Sequence, residues 1–318
     1  MAENWSSMQE RGSYWGVQFF AVAYRLLGRG VCLFFLAPAI TFFYFAGARQ
    51  RRASQDYLER VWRAGYLPKK PGLWEGLKHY MAFGESMIDK LAAWIGDIRP
   101  QDVDGVHDGL FHEAKLNPRG GFVITAHIGN PEVIRAVATV SRRFVVNVIM
   151  HTAHAEQFNR LIERISPDST VRLIQVTTID MPTAMRLSEA VGRGEWVILT
   201  GDRLPAHGDA GRSVSADLLG APALFPEGPY FLGAVLKCPT YLLFCTRRKD
   251  RFGVRISLLD DPLQVPRKDR ERALGAYARR FAAALEAEIA ATPFQWFNFY
   301  DLWGTASGVP EKADEQSS

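Results

Sequence analysis

The sequence predicts an α/β protein, with a mostly parallel central sheet covered by helices on both faces and a membrane-associated helix in front of it. Three observations predict this. Beyond residue 120, short apolar runs alternate with stretches of helical periodicity, the pattern of strands joined by crossover helices. Those runs are nearly continuous in apolar residues, as strands buried on both faces are. Ahead of them, Val31 to Ala48 is an uncharged run of 18 residues, about 27 Å long as a helix against a ~30 Å hydrocarbon core.

At 318 residues the chain holds one large α/β domain or two smaller ones. An apolar content of 47% argues against both disorder and a many-spanning membrane protein. A net charge of +4 suits an anionic membrane surface or an acidic protein partner as well as nucleic acid. No basic stripe interleaved with aromatics points to nucleic acid. Cys32, Cys238 and Cys245 have no metal-site spacing and form no disulfide framework, so they are expected as buried thiols in a reducing compartment.

In chain order, residues 1–18 are polar and lack a secretory cleavage site. Val17 to Tyr24 is apolar and aromatic, Arg25 and Arg29 interrupt it, and the uncharged run follows, with Pro38 permitting a kink or a re-entrant hairpin. Arg49, Arg51 and Arg52 behind an apolar helix mark the cytoplasmic side and suit anionic headgroups. A buried aromatic helix of the core is the alternative. These features divide the chain into an N-terminal membrane anchor (1–53), an α/β domain (54–305) and a polar, disordered tail (306–318).

Residues 54–96 carry a helical apolar stripe (Tyr57, Leu58, Val61, Trp62, then Leu73, Leu77, Met81) broken at Pro68 and Pro71. Ile98 to Leu116 reads as a short strand and a connecting helix. Strands are expected at Phe122–Ala126, Phe144–Met150, Val171–Gln175, Trp196–Thr200, Thr240–Thr246 and Phe252–Leu258. Helices are expected at Pro131–Val140, Ala155–Ile165, Met181–Arg193, Gly228–Leu236 and Arg267–Ala291. Arg247 to Arg251 reads as a solvated hairpin turn, with docking of an acidic carrier protein as the sharper alternative.

The organising stretch runs from Gly120 to Glu132. The strand delivers His127 to its C-terminal end, where open α/β sheets place their ligands. Asn130-Pro131 then caps and opens a helix that carries Glu132 in its first turn. Across that turn a carboxylate can hold one imidazole nitrogen and leave the other to take a proton from a hydroxyl.

His127-x4-Glu132 at a strand-to-helix turn resembles the H-x4-D/E motif of the lysophospholipid acyltransferase superfamily. The chain as a whole is most similar to its lipid A late-acyltransferase branch. Three further blocks carry the resemblance: Trp196 to Pro205, with Asp202-Arg203 in the turn after the strand; Leu219 to Leu232, with its Pro-Ala-x-Phe-Pro-x-Gly-Pro run; and Phe294 to Asn298. Phe225-Pro-Glu-Gly228 spells the opening of a glycerol-phosphate acyltransferase motif but lacks its Thr-Arg, so Glu227 is read as incidental.

The resemblance implies transfer of a fatty acyl group from an acyl carrier protein or CoA thioester to a hydroxyl or amine of a membrane lipid or glycolipid. It places the reaction at the cytoplasmic face of a bacterial inner membrane and needs no cofactor. His127 is then the general base and Glu132 the residue that orients it. Asp202 and Arg203 face the acceptor, and Gly129 and Asn130 contact substrate. Amides near Gly129 offer dipoles to the oxyanion, although Asn130 reads more simply as the helix cap. No metal site is indicated, with His151 and His154 read as pocket rim or surface. Hydrolysis by the same dyad, as a membrane-bound thioesterase, and non-catalytic lipid binding remain the competing functions.

Overall fold

The computed structural model describes residues 14–106, 109–116, 118–138, 145–150, 171–175, 180–204 and 212–303. The expected helix at Ala155–Ile165, His151, His154 and the tail after 303 lie outside the described residues. Three helices come first: α1 (Tyr14–Ala46), α2 (Ala48–Arg63) and α3 (Leu73–Trp94). The break in α1 falls at Gly28 (φ 77°, ψ 174°), not at Pro38, which the helix accommodates without interruption. The expected boundary at residue 53 falls inside α2, whose Tyr57, Leu58 and Val61 are fully buried in the main core.

Among the described residues seven strands then build one sheet: β1 (Val103–Asp104), β2 (Gly121–Thr125), β3 (Val146–Met150), β4 (Val171–Gln175), β5 (Trp196–Thr200), β8 (Thr240–Arg248) and β9 (Arg251–Asp260). They stand in the order β1-β9-β8-β2-β5-β3-β4. The block β8-β2-β5-β3-β4 is parallel, while β9 runs antiparallel to β8. Between them lie α4 (Gly109–Leu116), α5 (Pro131–Ala138), α6 (Met181–Gly192) and α7 (Gly228–Leu236), and the long α8 (Arg270–Ala291) follows β9. Asp180 caps α6 by accepting the Thr183 N–H at 2.9 Å.

Side chains alternate between two cores, as the two-residue period of a strand requires. Phe122 and Ile124 of β2 join Val197, Leu199, Phe244 and Phe281 on one face, and Val123 joins Val133, Val146, Trp196 and Tyr241 on the other. Helices therefore cover both faces of a mixed, mostly parallel sheet. One element departs from expectation. Residues 213–226 form an antiparallel hairpin, β6 (Ser213–Leu218) and β7 (Ala221–Pro226), packed against α8 outside the main sheet. Its prolines, Pro222 and Pro226, are tolerable in a two-stranded ribbon, where each strand has a free edge.

Candidate active site

β2 is the middle strand of the seven-stranded sheet, between β8 and β5, with Thr125 opposite Thr200 of β5. His127 and Asp202 each follow their paired threonine by the same step, so strand register brings both to one point on the C-terminal edge. The Gly201 N–H donates to the Thr125 carbonyl at 2.8 Å and prolongs the ladder to that point.

There the His127 Nδ1–H donates to Asp202 Oδ1 at 2.8 Å. Asp202 Oδ2 accepts the His127 backbone N–H at 2.9 Å and the Trp296 indole N–H at 3.0 Å. The aspartate is 1% exposed. Burial alone raises its pKa, but the charge and hydrogen bond of His127, the Arg203 charge and the Trp296 bond outweigh burial. Together they hold the carboxyl well below the usual range. For His127, burial is the largest influence and lowers its pKa, Asp202 pulls it up, and the positive charges of Arg203 and Lys90 push it down. The net effect lies below the ordinary imidazole value. A carboxylate only accepts, so the proton sits on Nδ1, and the neutral ring carries its lone pair on Nε2. The side chain is 33% exposed and so accessible to a substrate.

The two carboxylates have other partners in this structure than the sequence led one to expect. Asp202, expected to face the acceptor, is turned inward onto the imidazole. Glu132, expected to orient that imidazole, places its carboxylate 3.7 Å from Lys90 Nζ of α3. The reason lies in the turn between them. Gly129 adopts φ +60° and bridges to β8, and a Cβ there would stand 2.0 Å from the Cys245 carbonyl oxygen. The Asn130 N–H donates to that same carbonyl at 2.8 Å, while Ser86 of α3 donates its hydroxyl to the Gly129 carbonyl at 3.1 Å. The turn is thus fastened to β8 and α3, and α5 starts with Glu132 directed at α3.

Asn130 caps α5 by accepting the Glu132 N–H at 3.2 Å, and its amide donates to the Ser86 carbonyl at 3.2 Å. The backbone amides of His127, Gly129 and Asn130 all donate within the protein, so those amides are not oxyanion donors in this structure. Gly129 and Asn130 nonetheless line a cavity of about 210 Å³ with Ser86, Arg247, Gln295 and Phe297. Arg203 emerges on the same edge, where its Nη2 donates to the Phe297 carbonyl at 2.9 Å and its guanidinium lies 5.9 Å from the Tyr300 ring centre.

The segment from Pro293 to Tyr300 holds these parts together. The Phe297 N–H donates to the His127 carbonyl and the Gly129 N–H to the Gln295 carbonyl, each at 2.8 Å. The Gln295 side chain spans the backbone of Arg247, and the Tyr300 hydroxyl donates to the Asp202 carbonyl. Behind the segment, Tyr57 donates to the Pro293 carbonyl at 2.8 Å. Fully buried His79 donates Nε2–H to the Trp296 carbonyl at 2.9 Å and accepts the Ser54 hydroxyl at Nδ1 at 2.8 Å. Burial pushes its pKa down to about 4. Sequence reasoning gave His79, Ser86, Lys90 and Tyr300 no role. Phe294 to Asn298 carried a signal as a matching block but not the function of Trp296, which is to donate to the carboxylate.

A paired His and Asp at a sheet edge, the His neutral and open on one side, is the constellation of a base that activates a hydroxyl. The family model that matches is that of the bacterial lipid A biosynthesis acyltransferases, over residues 85–305. The chain belongs to this family. Comparison with curated proteins gave no match. The match takes in His127, Asp202, Arg203 and Trp296 and starts within α3, at Glu85, so α1 and α2 precede it. The chain is therefore an acyltransferase of a membrane-associated bacterial family, and its α1 contains the one helix among the described residues long and apolar enough to cross a membrane, Val22–Ala46. The acyltransferase has three free, buried cysteines, and among its described residues no group of His, Cys, Asp and Glu is placed to hold a metal ion.

Proposed function

We propose that this acyltransferase moves a fatty acyl group from a carrier-protein or CoA thioester to a hydroxyl or amine of a membrane lipid or glycolipid, at the cytoplasmic face of the inner membrane. His127 is the general base and Asp202 the group that orients it. The observation that carries this reading is the 2.8 Å bond from His127 Nδ1 to a buried carboxylate that two further donors also hold. As Nε2 takes the acceptor's proton, the ring becomes an imidazolium beside an ionised carboxylate, which stabilises the charge as it forms. The acceptor oxygen or nitrogen attacks the thioester carbonyl. Collapse of the tetrahedral intermediate expels the thiolate, which recovers the proton from Nε2.

Arg203, whose positive charge already acts on His127, is the proposed binder of the anionic group that a phosphorylated acceptor or a phosphopantetheine arm brings. Gly129 and Asn130 contribute the wall of the adjoining cavity. Glu132 pairs with Lys90, whose positive charge adds to burial and Arg203 as the least of the influences that lower the His127 pKa, and so acts on His127 through that lysine. The arginines following α1 and the reduced cysteines support the cytoplasmic side. The test is product analysis with purified protein, an acyl thioester and a lipid acceptor. An acylated lipid that forms only when acceptor is present supports the proposal; free fatty acid released at the same rate with or without acceptor makes the chain a thioesterase instead.

A further inference from the structure

The long apolar helix α1 lies against α3 from Tyr24 to Tyr44. Tyr44 meets Gly76, where a Cβ would stand 2.5 Å from the tyrosine oxygen, and Ile40 and Leu36 meet Gly84 in the same way. Further along, Arg29 bonds Asp89 at 3.0 Å and Glu85 at 3.2 Å, and Tyr24 donates to Asp97 at 2.8 Å. The two helices are therefore antiparallel partners from Tyr24 to Tyr44. The inward positions Cys32, Leu36, Ile40 and Tyr44 repeat every four residues, as one face of a helix does. The opposite face carries Leu27, Val31, Phe34, Phe35, Phe42 and Phe45, each 37% exposed or more.

A helix docked in this way cannot cross a bilayer alone. With the uncharged run Val31–Ala48 centred in the hydrocarbon, the stretch of α3 from Gly76 to Gly84, with its exposed Lys78, would have to cross beside it; with Val22–Ala46 centred, Arg29 would sit only about 8 Å from the midplane. Glu85 and Asp89 of α3 would be drawn in beside it. Arg29 and Glu85 are 30% and 41% exposed at their side chains, and lipid satisfies neither.

We infer that α1 lies in the plane of the membrane, with its outward phenylalanine face sunk into one leaflet and α3 behind it, so that the chain enters and leaves the bilayer on the same side. The rim of the face fits an anionic bilayer. Trp74, 70% exposed, stands just before Gly76 at the end where Phe42, Phe43 and Phe45 face outward, and indole rings favour the headgroup level. Arg25, beside Leu26 and Leu27, and Arg52, just beyond α1, are exposed at the two ends of the face and reach phosphate. The reaction edge is tied to this face through Ser86 of α3, whose hydroxyl donates to the Gly129 carbonyl. The inference concerns seating on the membrane and rests on the packing of α1 and α3, not on acyl transfer.

The test uses the full chain in vesicles of phosphatidylethanolamine and phosphatidylglycerol, with a membrane-impermeant maleimide and the buried native thiols as background. Ser13→Cys and Gln55→Cys, ahead of α1 and beyond it, should both react from the side that carries the α/β domain. Reaction of Ser13→Cys only from the opposite side would establish a spanning helix and overturn the inference. In depth quenching, labels at Phe34→Cys and Phe42→Cys should both report a shallow position, roughly 5–10 Å below the headgroups. A label at Phe34 near the midplane, with Phe42 shallower, would also overturn it. The Phe34→Ser/Phe42→Ser double variant should bind these vesicles at least tenfold more weakly. Unchanged binding, or concentration-dependent dimers in place of vesicle binding, would assign the face to another partner and refute the inference.

Discussion

His79 allows a prediction whose size comes from the structure. It is fully buried between Ser54 and the Trp296 carbonyl, and its pKa of about 4 lies below the ordinary 6.5 because burial penalises the cation. The unfolded chain therefore binds this proton first as pH falls. The stability tied to the neutral ring is complete above about pH 6.5 and is lost progressively down to about pH 4. At ~1.4 kcal/mol per unit, the loss is about 3 kcal/mol. His127, also lowered, adds to the loss in part of the same window, so the comparison must be with a variant. The assay is urea unfolding in detergent at several pH values for the wild type and His79→Gln. The variant should be less stable at pH 7.5 but should lose about 3 kcal/mol less between pH 6.5 and 4. Parallel curves across that window would refute the burial argument for His79, and with it the idea that a neutral histidine holds the Trp296 segment.

Three further predictions follow from the site. Arg203→Lys should raise KM for whichever substrate supplies the anionic group and leave the other's nearly unchanged, because an ammonium cannot copy a two-pronged guanidinium contact; steady-state kinetics with each substrate varied in turn will show which, and two unchanged KM values would make Arg203 structural. Trp296→Phe removes one donor from Asp202, so the carboxylate holds the imidazolium more tightly and the acid limb of the kcat/KM profile should move to higher pH; an unshifted limb would show that the indole bond does not tune His127. Gly129→Ala should fail to give active protein, since a Cβ would overlap the Cys245 carbonyl; wild-type transfer by this variant would show that the turn is not fixed as described.

Much of the fold was legible because its signals are local. Val171–Gln175, Trp196–Thr200 and Gly228–Leu236 are found at their expected bounds, since unbroken apolar runs between turn residues specify buried strands and a proline in the first turn specifies a helix start. The β6–β7 hairpin was missed because Pro222 and Pro226 argue against a strand, and only its place outside the main sheet makes them harmless. The site was half legible. Strand ends put His127, Asp202 and Arg203 on one edge, but which carboxylate meets the imidazole depends on the pairing of Thr125 with Thr200 and on where Gly129 sends the chain, and both are tertiary facts. Sequence proximity favoured Glu132 for that reason. His79 was invisible for the same reason, as its partners lie at Ser54 and Trp296.

The most direct test of His127 held by Asp202 is a side-by-side measurement of acyl transfer by Asp202→Asn and Glu132→Gln, both purified and checked for folding. An asparagine offers the ring an N–H as well as an oxygen, which favours the wrong imidazole tautomer and leaves the imidazolium without a counter-charge. In the serine-protease triad that exchange costs roughly 10⁴-fold in kcat, and a loss of that order is expected for Asp202→Asn. Glu132→Gln should cost about tenfold or less, the worth of a partly exposed ion pair with Lys90. The reverse ranking, with Glu132→Gln abolishing transfer and Asp202→Asn sparing it, would return the orienting role to Glu132 and contradict the mechanism proposed for this acyltransferase.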